Sequence, residues 1–410
     1  MNRVTIPRNS LQTYRRIWQA SLFCFILAAL TGALYRFGMI GWMPQGLSLL
    51  NIRHAHSHLM FFGWAVPLPL YILLLRAAGS AGKNSKAVQM MRWSVWGGLI
   101  FGLISYPFFL LWGYQPVAIG SASIPLSVAF AGLVMLCWYV YMGGYLKIRS
   151  HLKEDAAASW YDAALLLLFI SSLGAWGVAV LQAMDLQNPL WAKAMTHFFL
   201  ASFTEGWVVL AVLALIFGNM AVKERPPFSS NVSISLIVIG APLTFPYGIS
   251  ESLLTPVLLF TARLGGVLAS AGIILALYVL WKRGNWKGSV WTWPLGLLLL
   301  KGLMQLGSSV IPSGFWLSDH ALRILYLHVL LLGALTLGGV AWLHVEAGTP
   351  YRYFSRVVVS VLMVLASLVM MSRLWPPAWS GLWVFYVVTG AALLPAMAVA
   401  AMWHKVRRMR

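Results

Sequence analysis

Long apolar runs separated by short polar segments cover nearly the whole chain. A run of about 20 residues is long enough to cross a hydrocarbon core of roughly 30 Å as an α-helix. The connecting segments leave no room for a soluble domain. We therefore predict an all-α polytopic membrane protein, one integral membrane domain over residues 1–410. The twelve predicted transmembrane helices lie at 17–37, 54–76, 90–112, 118–145, 160–183, 193–220, 231–250, 253–281, 291–311, 319–343, 354–373 and 378–403.

The composition agrees with a membrane protein. The 410 residues are 60% hydrophobic and 9% charged, whereas soluble domains have about 25% charged residues. This excludes a water-soluble globular protein. The net charge of +20 would suggest nucleic acid in a soluble chain, but here we expect no nucleic-acid partner, because in membrane proteins basic residues report topology. The two cysteines, Cys24 and Cys137, lie in apolar runs, so neither a disulfide framework nor a cysteine-ligated metal site is expected.

The basic residues alternate between the two sides of the predicted helices. With a cytoplasmic N-terminus, 22 of the 29 lysines and arginines fall on the cytoplasmic side. The opposite side holds seven: Arg36, Arg53, Lys193, Arg263, Lys301, Arg323 and Arg373. The positive-inside rule then places both termini in the cytoplasm, as in a multi-pass protein of the bacterial cytoplasmic (inner) membrane. The basic N-terminus lacks a small-residue cleavage pattern, so we expect the first span to be retained.

The nine histidines are unevenly distributed. His151, His344 and His404 lie in a cytoplasmic loop or at cytoplasmic helix ends, where interfacial roles are expected. The other six open the second, sixth and tenth spans, which all run inward from the outside: His54, His56 and His58, then His197, then His320 and His328. Counting from the nearest basic residue at about 1.5 Å per residue, His58, His197 and His328 lie roughly 6–8 Å below the outer boundary.

Histidines that recur at one depth on every fourth helix indicate a threefold arrangement around a cofactor. Neutral imidazoles in a low-dielectric interior suit haem iron or copper. Zinc is less favoured, because these helices supply no cysteine and few carboxylates. The alternative is that the histidines bond lipid headgroups or neighbouring carbonyls at the interface.

The chain resembles the haem-copper oxidase superfamily and the related NnrS-type membrane haem-copper proteins. The resemblance rests on the twelve predicted helices, on His58 with Gly63 and Trp64 behind it, and on L-H-V-L-L-L-G-A-L-T-L-G-G at 327–339. It implies three arcs of four helices and a low-spin b-type haem held by His58 and His328. It also places His197 on the helix that carries the first copper ligand in oxidases.

Two departures from that family argue against a standard binuclear centre. Residues 231–250 contain no histidine, whereas oxidases place two adjacent copper ligands there. Tyr326 stands where the ligand of the high-spin haem is expected. Residues two apart on a helix point about 200° apart, so Tyr326 and His328 face different pockets. Tyr326 is either a ligand or hydrogen-bond partner of a second cofactor, or an ordinary buried tyrosine.

Glu205 lies about 12 Å deeper than His197 and therefore near the middle of the bilayer. A carboxylate there is costly and is usually functional. It is a proton-relay candidate as a neutral acid; the alternatives are an ionised group paired with a metal or a basic residue, and a neutral structural hydrogen bond.

Other polar groups lie near the outer boundary. Arg53 and Arg323, with Lys193 and Arg263, suit haem propionates or plain interfacial positions. His54 and His58 share a helix face, and His56 points to the other side. His56 is thus a candidate for a second site, such as copper shared with His197. The remaining candidates are Glu251, Asp319 and His320, which form either a metal or donor site or a solvated loop edge.

These observations predict a membrane haem-binding protein with bis-histidine haem b in the outer half of the bilayer, and copper is the candidate for a second site. Its expected role is electron transfer or the handling of nitric oxide or copper, with a c-type cytochrome or quinol as electron donor. One alternative is an oxidoreductase similar to a terminal oxidase or nitric oxide reductase. The other is a proton-coupled cation or metal transporter, although transporters often show inverted repeats, and here the polar groups favour one leaflet.

Overall fold

The computed structural model describes residues 8–153, 155–184, 186, 188–219, 228–284, 286, 288–312 and 319–408. The basic residues Lys223, Arg225 and Lys287 lie outside this part of the chain. The α-helices are α1 (Arg8–Met39), α2 (Leu49–Met60), α3 (Pro67–Ala81), α4 (Lys86–Trp112), α5 (Leu126–Ile148), α6 (Ala158–Ala183), α7 (Pro189–Ala201), α8 (Val209–Asn219), α9 (Phe228–Leu243), α10 (Pro256–Arg283), α11 (Thr292–Val310), α12 (His320–His328), α13 (Thr336–Ala347), α14 (Tyr351–Met371) and α15 (Leu382–Arg408).

A short antiparallel hairpin of β1 (Val117–Ile119) and β2 (Ala122–Ile124) precedes α5. Its register pairs Val117 with Ile124 and Ile119 with Ala122. The predicted span 118–145 therefore starts too early. Gly120, with φ +60°, provides the turn, because a left-handed conformation carries no steric penalty in glycine. Short 3₁₀ turns occupy Arg149–Leu152, Phe245–Gly248, Glu251–Leu253 and Pro377–Trp379.

Eleven helices in the described part of the chain are long and apolar enough to cross a membrane. This confirms an all-α, multi-pass membrane protein. The predicted span 291–311 forms helix α11 but is not among the eleven. Its apolar run is interrupted by Lys301 and Gln305, two polar residues four positions apart.

Three of the membrane helices contain a π-helical turn. These turns, called π-turns below, are Phe61–Ala65 between α2 and α3, Ser202–Val208 between α7 and α8, and Val329–Leu335 between α12 and α13. In the first, the amide of Val66 donates to the carbonyl of Phe61 at 3.1 Å, an i→i−5 bond. They lie in the second, sixth and tenth predicted spans, the three with histidines near their starts. Single π-turns inside α-helices are frequent at functional sites.

The described residues divide into two compact units. The terminal unit comprises those of 4–152 and 342–410, and the central unit those of 153–341. In the terminal unit, Trp18 lies at the centre of an aromatic core. Its ring centroid is 5.7 Å from that of Trp64, 5.9 Å from that of Tyr71 and 6.1 Å from that of Trp342. Buried aromatic pairs at such distances contribute about 0.5–1.5 kcal/mol beyond area burial.

The central unit is assembled around closely packed backbones. A Cβ placed on Gly240 of α9 would lie 2.5 Å from the amide nitrogen of Ala269 in α10, and one on Gly272 would lie 2.8 Å from the Ser233 carbonyl. Between α6 and α7, a Cβ on Gly174 would lie 2.6 Å from the Met195 carbonyl. Small residues at these crossings allow the close approach on which helix association in lipid depends.

Candidate functional site

A buried acid–base cluster lies inside the central unit. The Nζ atom of Lys301 contacts both Oε2 of Glu205 and Oε1 of Gln305. The hydroxyl of Tyr326 donates to Oε2 of Glu205 at 2.7 Å. Lys301 is 0% exposed, Glu205 5% and Gln305 2%. We call these four residues the Glu205 cluster.

Each member is positioned by a different feature of the local sequence. Glu205 lies within the second π-turn. Lys301 and Gln305 are four residues apart on α11 and so share one face. Tyr326 is on the nine-residue helix α12, and its ring centroid lies 5.3 Å from Lys301 Nζ. The cluster thus joins three separate helical segments.

Thr204 completes the surroundings of the carboxylate. Its hydroxyl bonds the Leu200 carbonyl at 2.8 Å and lies 3.3 Å from Oε1 of Glu205. The opposite charges of Glu205 and Lys301 cancel, which is the condition for burying both. Tyr326 adds a hydrogen bond to the carboxylate, so a proton taken up by Glu205 or released by Lys301 would rearrange donors already in place.

The structure identifies the partner of Glu205. Of the alternatives open from sequence, it shows pairing with a basic residue. That residue is Lys301, which the charge count assigns to the outer side; the structure buries its side chain near the middle of α11. Lysine and arginine side chains usually extend to the membrane interface, and the charge count assumes this for Lys301 as well. The spacing of Lys301, Gln305 and Ser309 was the signal that the sequence analysis overlooked.

His58 lies in an aromatic pocket of the terminal unit. Its ring centroid is 3.8 Å from that of Phe109 and 5.4 Å from that of Phe62. Its Nε2 and the hydroxyl of Tyr114 are 2.9 Å apart. Its Nδ1 is buried and has no hydrogen-bond partner among the described residues. A buried polar atom in this state costs roughly 1–3 kcal/mol, and a group bound at this nitrogen would remove that cost.

Tyr114 is held above His58 by the loop after α4. Asn51 donates from Nδ2 to the Leu111 carbonyl at 3.0 Å. Gly113 adopts φ +59°, which permits the close approach of Asn51. Withdrawal of the hydroxyl from water raises the pKa of Tyr114 to about 12, against the smaller lowering effect of the Arg53 charge. The hydroxyl is therefore protonated at neutral pH.

His54 and His56 have different surroundings. His54 meets the Tyr114 ring edge-on, with centroids 4.6 Å apart. The Nδ1 of His56 bonds the Ala28 carbonyl of α1 at 2.7 Å, and a Cβ on Gly32 would lie 2.9 Å from its ring. His54 thus lies with His58, as predicted from the helix face, and His56 contacts α1.

His328 lies two residues after Tyr326 in the central unit, and its Nδ1 is 2.8 Å from the Ile324 carbonyl. Arg323 and Arg53 are both exposed, consistent with a boundary position. A short pattern recurs around the two histidines. Arg53–His58–Gly63 and Arg323–His328–Gly333 share the spacing R-x4-H-x4-G, and in each case the glycine lies in a π-turn.

His197 lies near the start of the sixth span. A Cβ on Gly248 would overlap its imidazole, so the 3₁₀ turn at Phe245–Gly248 packs directly on the ring. The charges of Arg323 and Lys193 act on it. Asp319, expected near this surface, accepts from the amides of Ala321 and Leu322 and so caps α12. The Glu251 side chain lies outside the described residues.

No protein-family model matches this sequence. No curated protein matches it either.

The described residues contain no group of three or more histidine, cysteine, aspartate or glutamate side chains that could hold a metal ion. His56 and His58 belong to the terminal unit, and His197 and His328 to the central unit. Among the described residues, the structure brings together the Glu205 cluster in the central unit and the side chains of His54, His58 and Tyr114 in the terminal unit.

Proposed function

We propose that this chain is a membrane-embedded haem protein in which electron transfer is coupled to protonation of the Glu205 cluster. One observation carries the proposal. Helix α12 presents His328, the expected haem ligand, and also Tyr326, whose hydroxyl donates to Glu205 at 2.7 Å. Side chains two residues apart point to different sides of a helix. A single short helix thus links a metal-ligand candidate to a buried acid–base pair.

The hydrogen bonds of both histidines would suit residues that hold a haem iron. Metal-bound imidazoles usually bond a protein oxygen through their other ring nitrogen. His328 does so from Nδ1 to the Ile324 carbonyl, and His58 does so from Nε2 to Tyr114. The buried Nδ1 of His58, without a partner among the described residues, is a candidate ligand atom. A haem b at these histidines would supply a one-electron redox centre.

Arg53 and Arg323 would support such a haem from the boundary. Each precedes its histidine by five residues and is exposed. Guanidinium groups form bidentate pairs with carboxylates, which suits propionates. The recurrence of R-x4-H-x4-G supports equivalent roles for the two helices.

The Glu205 cluster would respond to charge that develops near it. With Glu205 ionised and Lys301 protonated, the pair carries no net charge; a proton added to Glu205 makes it +1. Negative charge acquired nearby favours that proton, and a low-dielectric interior strengthens the effect. Tyr326 keeps its hydroxyl on the carboxyl group in both states and so holds its orientation. Lys301 would then retain Gln305 as its partner.

We further propose that α11 is the twelfth crossing, within three arcs of four helices. Its 19 residues span about 28 Å, and its lower hydropathy reflects the buried polar residues rather than a loop. By the positive-inside rule, both termini face the cytoplasm of a bacterial inner membrane. A c-type cytochrome or a quinol is the proposed electron donor.

The test of the haem is the reduced-minus-oxidised absorption spectrum of purified protein, with metal analysis. We expect sharp b-type bands and one haem per chain. His58→Ala and His328→Ala should each abolish the low-spin spectrum, whereas His320→Ala on the same α12 should keep it. An unchanged spectrum in both variants would refute the ligand assignment. Two haems with copper would instead favour the oxidase or nitric oxide reductase alternative.

The test of the coupling is the pH dependence of the midpoint potential. Uptake of one proton per electron lowers the potential by about 59 mV per pH unit. We expect Glu205→Gln to flatten this dependence while the spectrum is retained. Glu346→Gln, a carboxylate outside the cluster, serves as the control. An unaltered slope in Glu205→Gln would remove Glu205 from the coupled reaction.

A proton-coupled cation or metal transporter is the second candidate. The observation that favours it is the direct ion pair between Glu205 and Lys301. This pair could exchange protons without a cofactor. A colourless preparation that had not lost haem in detergent, with cation uptake into proteoliposomes abolished by Glu205→Gln, would support this candidate.

A further inference from the structure

One face of α11 changes from apolar to polar half-way along the helix. Lys301, Gln305 and Ser309 follow each other at i, i+4 and i+8, and are 0%, 2% and 4% exposed. On the same face toward the start of the helix lie Pro294 and Leu297, both buried. The polar half therefore extends from Lys301 to the Val310 end, a distance of about 12 Å.

Other polar side chains continue this stripe at the Val310 end. A Cβ on Gly266 of α10 would overlap the Ser309 hydroxyl and lie 3.6 Å from the ring of Tyr247. Ser309 and Tyr247 therefore both pack against Gly266 of α10. Gly248, which follows Tyr247, packs on the imidazole of His197. Polar groups consequently succeed one another from His197 to Lys301.

The stripe contains a buried donor that no described side chain or backbone group satisfies. Gln305 uses Oε1 for Lys301, but its Nε2 is buried and without a hydrogen-bond partner in the described part of the chain. The hydroxyl of Ser202, three residues before Glu205, is also buried without a described partner. Buried polar groups in this state are commonly satisfied by internal water. The amide of Gln305 therefore points to bound water beside the ion pair.

Two segments of the central unit next to the Glu205 cluster are apolar. Every residue of 209–217 is a buried apolar one, and Leu298 of α11 is 0% exposed. Neither stretch offers a side-chain donor or acceptor. These segments therefore offer water no side-chain hydrogen-bond partner, in contrast to the polar face of α11.

We infer that the polar face of α11 forms a one-sided water path that connects Glu205 and Lys301 with the aqueous phase at the Val310 end. Its occupants are water molecules and the protons they relay. The path starts from the ion pair seen in the structure and needs no haem. It rests on the proposed function only where it names the side from which Glu205 exchanges protons; in the proposed topology this is the outer side.

The mouth of the path is basic. Arg263 acts electrostatically on Tyr247, and Arg323 and Lys193 act on His197. Asp319, the acidic residue described at this end, is engaged in capping α12. Basic groups around a narrow entrance repel metal cations and favour anions. Water and anionic probes are therefore expected to enter more readily than cationic ones.

Thiol labelling tests the path. In a background with Cys24→Ala and Cys137→Ala, the probe positions are Ser309→Cys and Gln305→Cys, and the control is Leu297→Cys on the same face. Membrane vesicles of both orientations are treated with membrane-impermeant methanethiosulfonates, one anionic and one cationic. We expect Ser309→Cys and Gln305→Cys to react from one side only, about 10-fold faster with the anionic reagent, and Leu297→Cys not to react.

Unreactive thiols at both positions in folded protein, or equal reaction of Leu297→Cys, would overturn the inference. Where a variant does not fold, hydroxyl-radical footprinting of the unsubstituted protein decides. Internal water should lead to oxidation of Tyr247 and Tyr326 but not of Phe217, which lies in the apolar half; protection of both tyrosines would refute the path. Haem content measured in the same samples separates the two proposals, because labelled but haem-free protein keeps the path and removes the haem.

Discussion

Removal of the cation from the Glu205 cluster should destabilise the protein in a pH-dependent way. Lys301→Met leaves the Glu205 carboxylate, 5% exposed, without its counter-ion. Breaking a buried pair on one side costs about 3–5 kcal/mol. The least costly way to avoid this buried charge is protonation of the Glu205 carboxylate. A solvated glutamate has a pKa of about 4.3, so protonation at pH 7 costs about 2.7 × 1.36, or about 3.7 kcal/mol.

The sign of the pH dependence follows from the unfolded state. Above about pH 4.3 the unfolded glutamate is ionised and the folded variant must hold a proton, so the loss of stability grows as pH rises. At pH 5 the same calculation gives about 1 kcal/mol. At an unfolding entropy of about 2.1 cal/mol/K per residue, 1 kcal/mol shifts the Tm of a 410-residue chain by about 1.2 °C. We expect Tm to fall by about 4 °C at pH 7 and by about 1 °C at pH 5.

The assay is thermal unfolding of detergent-purified protein, followed by tryptophan fluorescence. The double variant Lys301→Met with Glu205→Gln removes both charges and should recover to within about 1 kcal/mol of the wild type, or exceed it. Equal losses at pH 5 and pH 7 would refute the reasoning. So would a double variant no more stable than Lys301→Met alone, because the energy would then come from packing.

Three further predictions concern single contacts. Tyr326→Phe should lower stability by about 1–2 kcal/mol through loss of the hydrogen bond to the ion pair, measured by the same assay; no change would show that the bond contributes nothing. Gly248→Ala should cost about 1–3 kcal/mol, because the added methyl overlaps a histidine ring, whereas Gly296→Ala, whose Cβ would meet nothing within 4 Å, should not destabilise. Tyr114→Phe should weaken haem binding about 10-fold in a titration of apoprotein, since outer partners orient ligating imidazoles; tighter binding would contradict the assigned role of His58. Because the pKa of Tyr114 is about 12, this contribution should stay constant from pH 6 to 10 and be lost only as pH rises through that value.

The fold was largely predictable because lipid leaves few alternatives. An apolar run of sufficient length must satisfy its backbone internally, so helices follow from hydropathy alone. The errors occur where polar residues serve another purpose. The second helical stretch begins at Leu49 rather than 54, because Ser48 caps it through the amide of Asn51. The hairpin ending at Ile124 was missed because its residues are as apolar as a membrane span.

The site was predictable only in part. Glu205 stood out because it is an isolated carboxylate in an apolar run, and Tyr326 because it was expected to face a different pocket from His328. The burial of Lys301 was not predictable from one sequence. A lysine between two apolar stretches either marks the membrane boundary or lies buried as a charge. Only its contact with Glu205 decides between them.

The π-turns determine the direction in which the histidine side chains of these helices point. A π-turn holds one residue more than the α-helical turn it replaces, which rotates the two flanking segments by about 100° relative to a regular helix. In Leu49–Ala81, Pro189–Asn219 and His320–Ala347 the histidine-bearing segment lies on one flank and a buried apolar segment on the other. Deleting one residue from such a turn would leave the buried apolar segment in its packing. The imidazole on the other flank would rotate about the helix axis by more than a quarter of a revolution. The direction of the chemical groups is thus set by an insertion in the chain, independently of which residues pack the interior.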